Sequence, residues 1–139
     1  MRTTAAAAGA LWAALSLGVL GCGDDEPEPI SGPAKEVAGV VQTFERALRA
    51  RDYERICRRL YARATARAAG GKRCAARQRK LARRIRDPRI RVESITIRGN
   101  AAAVDVVTTA RKQPEVREKM QLVRERGRYR IASLGEPGD

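Results

Sequence analysis

The hydrophobic positions in the first half of the chain predict helices. Apolar residues between Ala34 and Ala50 recur at helical spacing, and Pro33 suits a first turn, where its missing N–H would lack a partner anyway. Asp52 is placed to cap a second helix, which Gly70-Gly71 ends. A third helix follows and stops at Asp87-Pro88. The apolar positions of the three helices are Val37, Val40, Val41, Phe44, Ala47 and Leu48, then Tyr53, Ile56, Cys57, Leu60, Tyr61 and Ala64, then Cys74, Leu81, Ala82 and Ile85.

After Pro88 the hydrophobic period changes from about 3.6 to 2, which indicates β-strands. The first strand, Arg89 to Arg98, changes phase near Glu93-Ser94, and this change predicts a β-bulge or a later strand start. Gly99-Asn100 is a two-residue hairpin signal. Further strands are expected at 102–108, 119–126 and 128–134, with a loop at 111–115. Helices followed by an antiparallel meander predict an α+β fold, in which three N-terminal helices pack on a curved antiparallel sheet of about four strands.

Two segments of this domain carry a family resemblance. The apolar helix with Val40-Val41-Gln42-Thr43-Phe44 leads into the step Arg51-Asp52-Tyr53, and the closing hairpin places Tyr129 and Ile131 after Arg126-Gly127. Both segments resemble the nuclear-transport-factor-like superfamily, also known as SnoaL-like or cystatin-like cones, with Tyr129 in the place of an aromatic residue. The resemblance spans residues 34–135 and implies a conical pocket, and homodimers that pair through their sheets, but no particular activity. Residues 136–139 are expected to be a disordered tail.

The N-terminus has the pattern of an export signal. Arg2 precedes a mostly apolar run from Ala5 to Leu20, which is rich in Ala and Gly. A permanent transmembrane helix is the alternative, but it needs about 20 predominantly apolar residues, and the run is followed by acids instead of basic residues. Val19-Leu20-Gly21-Cys22 resembles the bacterial lipobox, in which a diacylglycerol is attached to the cysteine before cleavage in front of it.

The lipobox resemblance predicts a signal peptide at residues 1–21 and a lipidated Cys22 at the mature N-terminus. Residues 22–33, acidic and proline-containing, are expected to form a tether. Membrane lipid is then a partner through acylated Cys22, and the domain lies at the extracytoplasmic side of the cell membrane. Small actinobacterial lipoproteins have a similar composition. Ordinary secretion with a coincidental cysteine remains the alternative.

Two further cysteines predict a disulfide. Cys57 and Cys74 are separated by 16 residues, and an even pair of thiols in an exported domain is typical of a disulfide. A zinc site needs about four ligands and a catalytic thiol needs a basic partner, and the chain contains no histidine. No metal site and no cofactor are expected.

The charge of the chain leaves three interpretations open. The formal net charge is +13, and Arg55, Arg59, Arg63 and Arg67 would form one exposed stripe on a continuous helix, followed by Lys80, Arg83 and Arg84. This face is expected to contact anionic phospholipid or a wall polymer near the anchor. The alternative is that 24 Arg against 5 Lys simply reflect a GC-rich genome. Nucleic-acid binding is not expected in an exported domain with few aromatic residues.

Candidate pocket residues come from the inward phase of the strands and from the second helix. Tyr61, Met120 and Tyr129 are the candidates, and no catalytic residues are assigned because no general acid–base pair can be assembled from the sequence. The sequence therefore predicts a non-catalytic binding or scaffolding domain that contacts an anionic surface. The alternative is a cone that binds a small molecule, with or without weak isomerase or hydrolase activity. Nothing in the sequence identifies a substrate.

The lipobox resemblance generates the first testable prediction. The wild-type chain is expected to incorporate labelled fatty acid and to be cleaved before Cys22, whereas Cys22→Ser is expected to lose the label and to be either released or left uncleaved. Intact mass of the membrane-extracted protein and acyl labelling measure both effects. Acyl labelling that persists in Cys22→Ser would refute the assignment of Cys22.

Overall fold

The computed structural model describes residues 30–137. The predicted signal peptide, Cys22 and all but the last residues of the tether lie outside the described residues. No helix within 30–137 has the length and apolar character needed to cross a membrane.

The first helix, α1, spans Gly32–Ala50 and presents one face to the core. Its buried residues follow the predicted helical spacing and are Val37, Val41, Phe44 and Ala47. Pro33 lies in the first turn, as predicted, and the helix ends where Arg51 adopts a left-handed conformation with φ 57°. The burial of this face confirms the helix that the hydrophobic pattern predicted.

The second predicted helix is divided into two segments. Its first segment, α2, spans Tyr53–Arg55 and continues as a π-helical turn over Ile56–Leu60; the side chain of Asp52 accepts a hydrogen bond from the backbone N–H of Arg55 at 3.0 Å, as a cap does. The second segment, α3, spans Arg63–Ala68. The prediction of one continuous helix is wrong, and Ala64, which the helical pattern placed on the apolar stripe, is exposed.

The break between the two segments has a structural cause. Tyr61 and Ala62 are extended and run parallel to the last strand, where the N–H of Ala62 donates to the carbonyl of Ile131 at 2.8 Å. This pairing gives a hydrogen-bond partner to the edge strand β4, whose outward backbone groups would otherwise be unpaired. The carboxylate of Glu125 then accepts the N–H of Arg63 at 3.1 Å, at the start of α3.

The last helix, α4, spans Cys74–Leu81, between short 3₁₀ turns at Gly71–Arg73 and Ala82–Arg84. Gly70 (φ 120°) and Gly71 (φ 58°) allow the tight turn that precedes it, because other residues rarely adopt such backbone angles. Only two residues of α4, Cys74 and Ala75, are buried. This helix therefore has little packing to hold it in place.

Four antiparallel strands follow in the order β1-β2-β3-β4. Their bounds are β1 Arg89–Arg98, β2 Ala101–Thr109, β3 Val116–Glu125 and β4 Arg128–Pro137. The register shifts between Val92 and Ser94, which confirms the bulge predicted at Glu93. The α+β prediction is also confirmed. Strand β4 is longer than predicted: Glu136 and Pro137, assigned from the sequence to a disordered tail, pair with β3, whereas residues 138 and 139 lie outside the described residues.

One hydrophobic core joins the helices to the inner face of the sheet. The largest fully buried side chains of the sheet are Val104, Val106, Val107, Met120, Leu122 and Ile131, and all of them except Val107 pack against buried residues of α1 and α2. At the β1 edge, the carboxylate of Glu45 in α1 accepts the N–H of Ile90 at 2.8 Å. Helix α1 is thereby fixed to the edge strand opposite to the one that Tyr61 and Ala62 cover.

The predicted disulfide is present. Cys57 in the π-helical turn is bonded to Cys74, the first residue of α4, with a Cα–Cα distance of 6.1 Å. Both residues are buried in the core. The bond joins α4 to the body of the domain at the one end of this helix that is buried.

Loss of the disulfide is expected to destabilise the domain. In the chain-entropy model, a loop of this length contributes about 3 kcal/mol to the free energy of unfolding. The double variant Cys57→Ala/Cys74→Ala should therefore unfold at lower urea concentration, and reductant should lower the stability of the wild type but leave the variant unchanged. An equal stability of wild type and variant without reductant would contradict this role.

Candidate ligand cavity

An apolar cavity of about 320 Å³ opens between the helices and the sheet. Phe44 and Leu48 of α1 line it, and Leu81, Ala82 and Ile85 form the wall on the α4 side. The sheet contributes Ile90, Thr108, Met120 and Leu134 to the opposite wall. The two walls come from distant parts of the chain, so that the cavity exists only in the folded domain.

The opening of the cavity is surrounded by exposed hydrophobic side chains. Within residues 30–137, five large hydrophobic residues are exposed, and four of them line this cavity: Leu81 (67%), Ile85 (37%), Val116 (44%) and Leu134 (39%). We call these four residues the apolar rim. Single exposed hydrophobic residues are common on protein surfaces, whereas a contiguous group around a cavity is typical of a binding site.

Tyr61 brings one polar group into this apolar space. It is 5% exposed, and its ring centroid lies 6.4 Å from that of Phe44. Its hydroxyl makes no hydrogen bond with the described part of the chain, and burial raises the pKa of Tyr61 to about 12. The hydroxyl is therefore protonated at neutral pH and available to a bound molecule. It is held there because Tyr61 belongs to the extended pair on the edge of β4.

The remaining polar lining contains a single carboxylate among the described residues. Glu118 is the one carboxylate among the described residues that line the cavity, and the other polar side chains are Gln78, Arg89, Thr108, Thr109 and Gln113. General acid–base catalysis commonly uses two groups whose pKa values are separated by their surroundings, and no second carboxylate stands beside Glu118. Residues 30–137 also hold no group of three or more potential metal ligands among His, Cys, Asp and Glu. The lining is suited to contact with a ligand.

Two of the three pocket candidates from the sequence lie in this cavity. Tyr61 and Met120 line it, whereas Tyr129 lies elsewhere. The guanidinium of Arg124 stacks 4.5 Å from the centre of the Tyr129 ring, and Glu36 accepts hydrogen bonds from Arg124 at 3.1 Å and from the N–H of Tyr129 at 3.4 Å. Tyr129 thus takes part in fixing the start of α1 to β3 and β4.

The basic residues selected from the sequence are exposed but do not form one stripe. Arg55 and Arg59 lie on the first part of the divided helix, and Arg63 and Arg67 lie on α3. The extended pair Tyr61-Ala62 interrupts the helical spacing on which the stripe depended. The four arginines therefore do not share one continuous helix.

A second basic group lies beside the cavity. Arg77, Lys80, Arg83 and Arg84 surround Leu81 and line a shallow depression together with it; we call these four residues the basic rim. The sequence predicted that Lys80, Arg83 and Arg84 are exposed. It did not predict that they surround Leu81 at the cavity. The sequence signal that could have pointed to this arrangement is a leucine between basic residues, Arg79-Lys80 before it and Arg83-Arg84 after Ala82.

Comparison with solved structures supports the fold. The chain is similar to a SEC-C motif containing protein from Rhodopseudomonas palustris, with 17% identity over 72% of this chain and 77% of that one and a TM-score of 0.53. It is also similar to an NTF-2-like protein of unknown function from Silicibacter pomeroyi DSS-3, with 15% identity over 72% and 90% of the two chains and a TM-score of 0.52. A de novo designed protein with a curved β-sheet has 15% identity, coverage of 74% and 100%, and a TM-score of 0.52.

The fold is that of the NTF-2-like proteins. No family model and no curated protein matches the chain. At identities of 15–17% these similarities define the NTF-2-like fold alone, and the fold does not define an activity. Within it, the cavity lies between helices and sheet, and its lining residues determine what it can bind.

The environment of Tyr61 predicts a specific dependence of stability on pH. Because burial raises its pKa from 10.0 to about 12, Tyr61 has no effect on the pH dependence below pH 10 and destabilises the fold as the pH rises from about 10 to about 12. Two pKa units correspond to about 3 kcal/mol. Urea unfolding of wild type and Tyr61→Phe at pH 8 and pH 11.5 should show a larger loss for the wild type, whereas equal losses would mean that Tyr61 ionises without penalty.

Proposed function

We propose that this protein is a non-catalytic binding protein whose cavity takes a small, predominantly apolar molecule. The apolar rim carries the proposal, because four of the five exposed large hydrophobic residues within 30–137 surround one opening. Exposing these side chains to water is unfavourable, and a ligand that covers them would recover part of that free energy.

The size and polarity of the cavity support a small ligand. A volume of about 320 Å³ is at the lower end of the range of about 300–1,000 Å³ that is typical of small-molecule sites. Such sites combine an apolar lining with a few polar groups that orient the ligand. Tyr61 supplies one hydrogen-bond donor in the interior, and Thr108 and Gln78 supply further polar contacts.

The sequence favoured contact with an anionic surface over binding of a small molecule, and the cavity favours the small molecule. Contact with an anionic surface relied on Arg55, Arg59, Arg63 and Arg67 together with Lys80, Arg83 and Arg84, and the break at Tyr61-Ala62 interrupts the helical spacing of the four arginines. The alternative relied on an apolar pocket that contains Tyr61 or Tyr129, and Tyr61 lines such a pocket. Binding of a small molecule is therefore the better-supported function.

We further propose that the domain works at the outer face of the cytoplasmic membrane, attached through Cys22. The resemblance of residues 19–22 to a lipobox supports this attachment. An extended chain spans at most about 3.6 Å per residue, so that the ten residues 22–31 would keep the domain within about 36 Å of the bilayer. Apolar molecules partition into the bilayer, and a domain held so close to it would meet them at raised local concentration.

Filling the cavity tests the binding function. Ala110 lines the cavity just after the end of β2, and Ala110→Trp is expected to fill part of it; Ala101→Trp, at the exposed start of the same strand, is the matched control. Binding of the neutral fluorophore N-phenyl-1-naphthylamine to residues 30–139 should weaken at least tenfold in Ala110→Trp and stay unchanged in Ala101→Trp. A thermal melt of each chain reports whether it is folded.

Two results would contradict the proposal. Absence of fluorophore binding to the folded wild-type domain would mean that the cavity does not accept apolar molecules. Equal weakening by both Trp substitutions would place the fluorophore on another part of the surface.

A further inference from the structure

We propose that the ligand is an amphiphile with one anionic head group and one apolar chain, such as a free fatty acid. In this arrangement the basic rim binds the head group and the cavity holds the chain. The inference rests on the proposed binding function and adds the chemical class of the ligand.

Leu81 connects the two parts of this site. It lines both the apolar cavity and the shallow depression formed with Arg77, Lys80, Arg83 and Arg84. Gln78, Leu81, Ala82 and Ile85 face the cavity, and the basic residues lie next to them along the same segment. A molecule that passes over Leu81 therefore has its apolar end in the cavity and its other end among four cations.

The cations of the basic rim have no acidic partners within residues 30–137. Each of the eight ion pairs in this part of the chain involves other cations, and the segment from Cys74 to Arg86 contains no Asp or Glu. Like charges three or four residues apart repel one another, as Lys80 and Arg84 do. The negative end of the helix dipole favours Lys80 in the last turn of α4, but Arg83 and Arg84 lie beyond the last residue of this helix. A bound anion would relieve the repulsion.

The position of Glu118 in the cavity determines the orientation of the bound amphiphile. Glu118 lies on β3, in the wall opposite α4, and would repel an anionic head group on the sheet side. Arg89, the one cation among the described residues that line the cavity, lies 3.9 Å from Glu45 and is partly neutralised by it. The charges therefore favour a head group at the α4 side and an uncharged chain deeper in the cavity.

The volume of the cavity favours one chain. A group of the size of water occupies about 30 Å³, so that about 320 Å³ holds roughly ten groups of methylene size. This is one chain of medium length, and the two long chains of a phospholipid exceed it. A free single-chain amphiphile therefore fits better than a lipid that remains in the bilayer.

Photolabelling of the full chain tests the inference. The chain is held in nanodiscs of neutral phosphatidylcholine and exposed to equal concentrations of a diazirine-bearing decanoic acid or the matching diazirine-bearing decanol, and labelled residues are identified by peptide mass spectrometry. The acid should label the cavity residues at least fivefold more than the alcohol. In Lys80→Gln/Arg84→Gln, labelling by the acid should decrease to the level of the alcohol, with labelling by the alcohol unchanged.

The control removes the same charge elsewhere. Arg55→Gln/Arg59→Gln has the same spacing of four residues, at exposed positions of a helical segment that does not line the cavity, and it should leave labelling by both probes unchanged. Equal labelling of the wild type by acid and alcohol, or an equal loss in the control, would overturn the anionic head group while the cavity proposal stands. Absence of cavity labelling by both probes would overturn the binding function itself.

A second experiment distinguishes binding of a free amphiphile from binding of the basic rim to the membrane surface. Adding anionic phosphatidylglycerol to the nanodiscs should leave labelling by the acid within twofold of its original level. If the anionic lipid abolishes this labelling, the basic rim binds the membrane surface and the proposal of a free amphiphile is wrong.

Discussion

The disulfide between Cys57 and Cys74 is the constraint on which the cavity depends. Helix α4 buries only Cys74 and Ala75, so that its hydrophobic packing is too small to fix its position. Beyond this buried end, the guanidinium of Arg79 lies over the ring of Tyr53, at 5.9 Å from the ring centroid. The bond holds the N-terminal end of α4 against the core, and the rest of the helix extends along the cavity and carries Leu81. Without the disulfide, the wall of the cavity on the α4 side would have no fixed position.

A second constraint acts through the sheet edge. The backbone of β4 requires hydrogen-bond partners, and the extended pair Tyr61-Ala62 supplies them. This pairing breaks the second helix, directs the Tyr61 ring against Phe44 in the lining of the cavity, and separates Arg59 from Arg63. One backbone requirement therefore determines both the polar group inside the cavity and the distribution of charge outside it.

Local patterns in the sequence were sufficient to predict those elements whose structure depends on neighbouring residues. The helical spacing of α1, the cap at Asp52, the bulge at Glu93 and the Gly99-Asn100 turn each depend on neighbouring residues, and each is present. The break at Tyr61 depends instead on a partner, Ile131, that is 70 positions away in the chain. The arginine- and alanine-rich segment has ordinary helix propensity, so that nothing local indicates the interruption. The exposure of Leu81 was missed for a related reason, because an apolar residue at helical spacing is normally buried.

Hydrogen exchange of α4 tests whether the disulfide holds the wall of the cavity in place. Amide exchange is measured by mass spectrometry on the folded full chain, with and without reductant, and the peptides from residues 74–85 are compared with those from β2 and β3. Reduction is expected to accelerate exchange in 74–85 at least tenfold, while β2 and β3 retain most of their protection. Unchanged protection of residues 74–85 after complete reduction would show that other contacts hold α4 and that the disulfide does not fix the wall of the cavity.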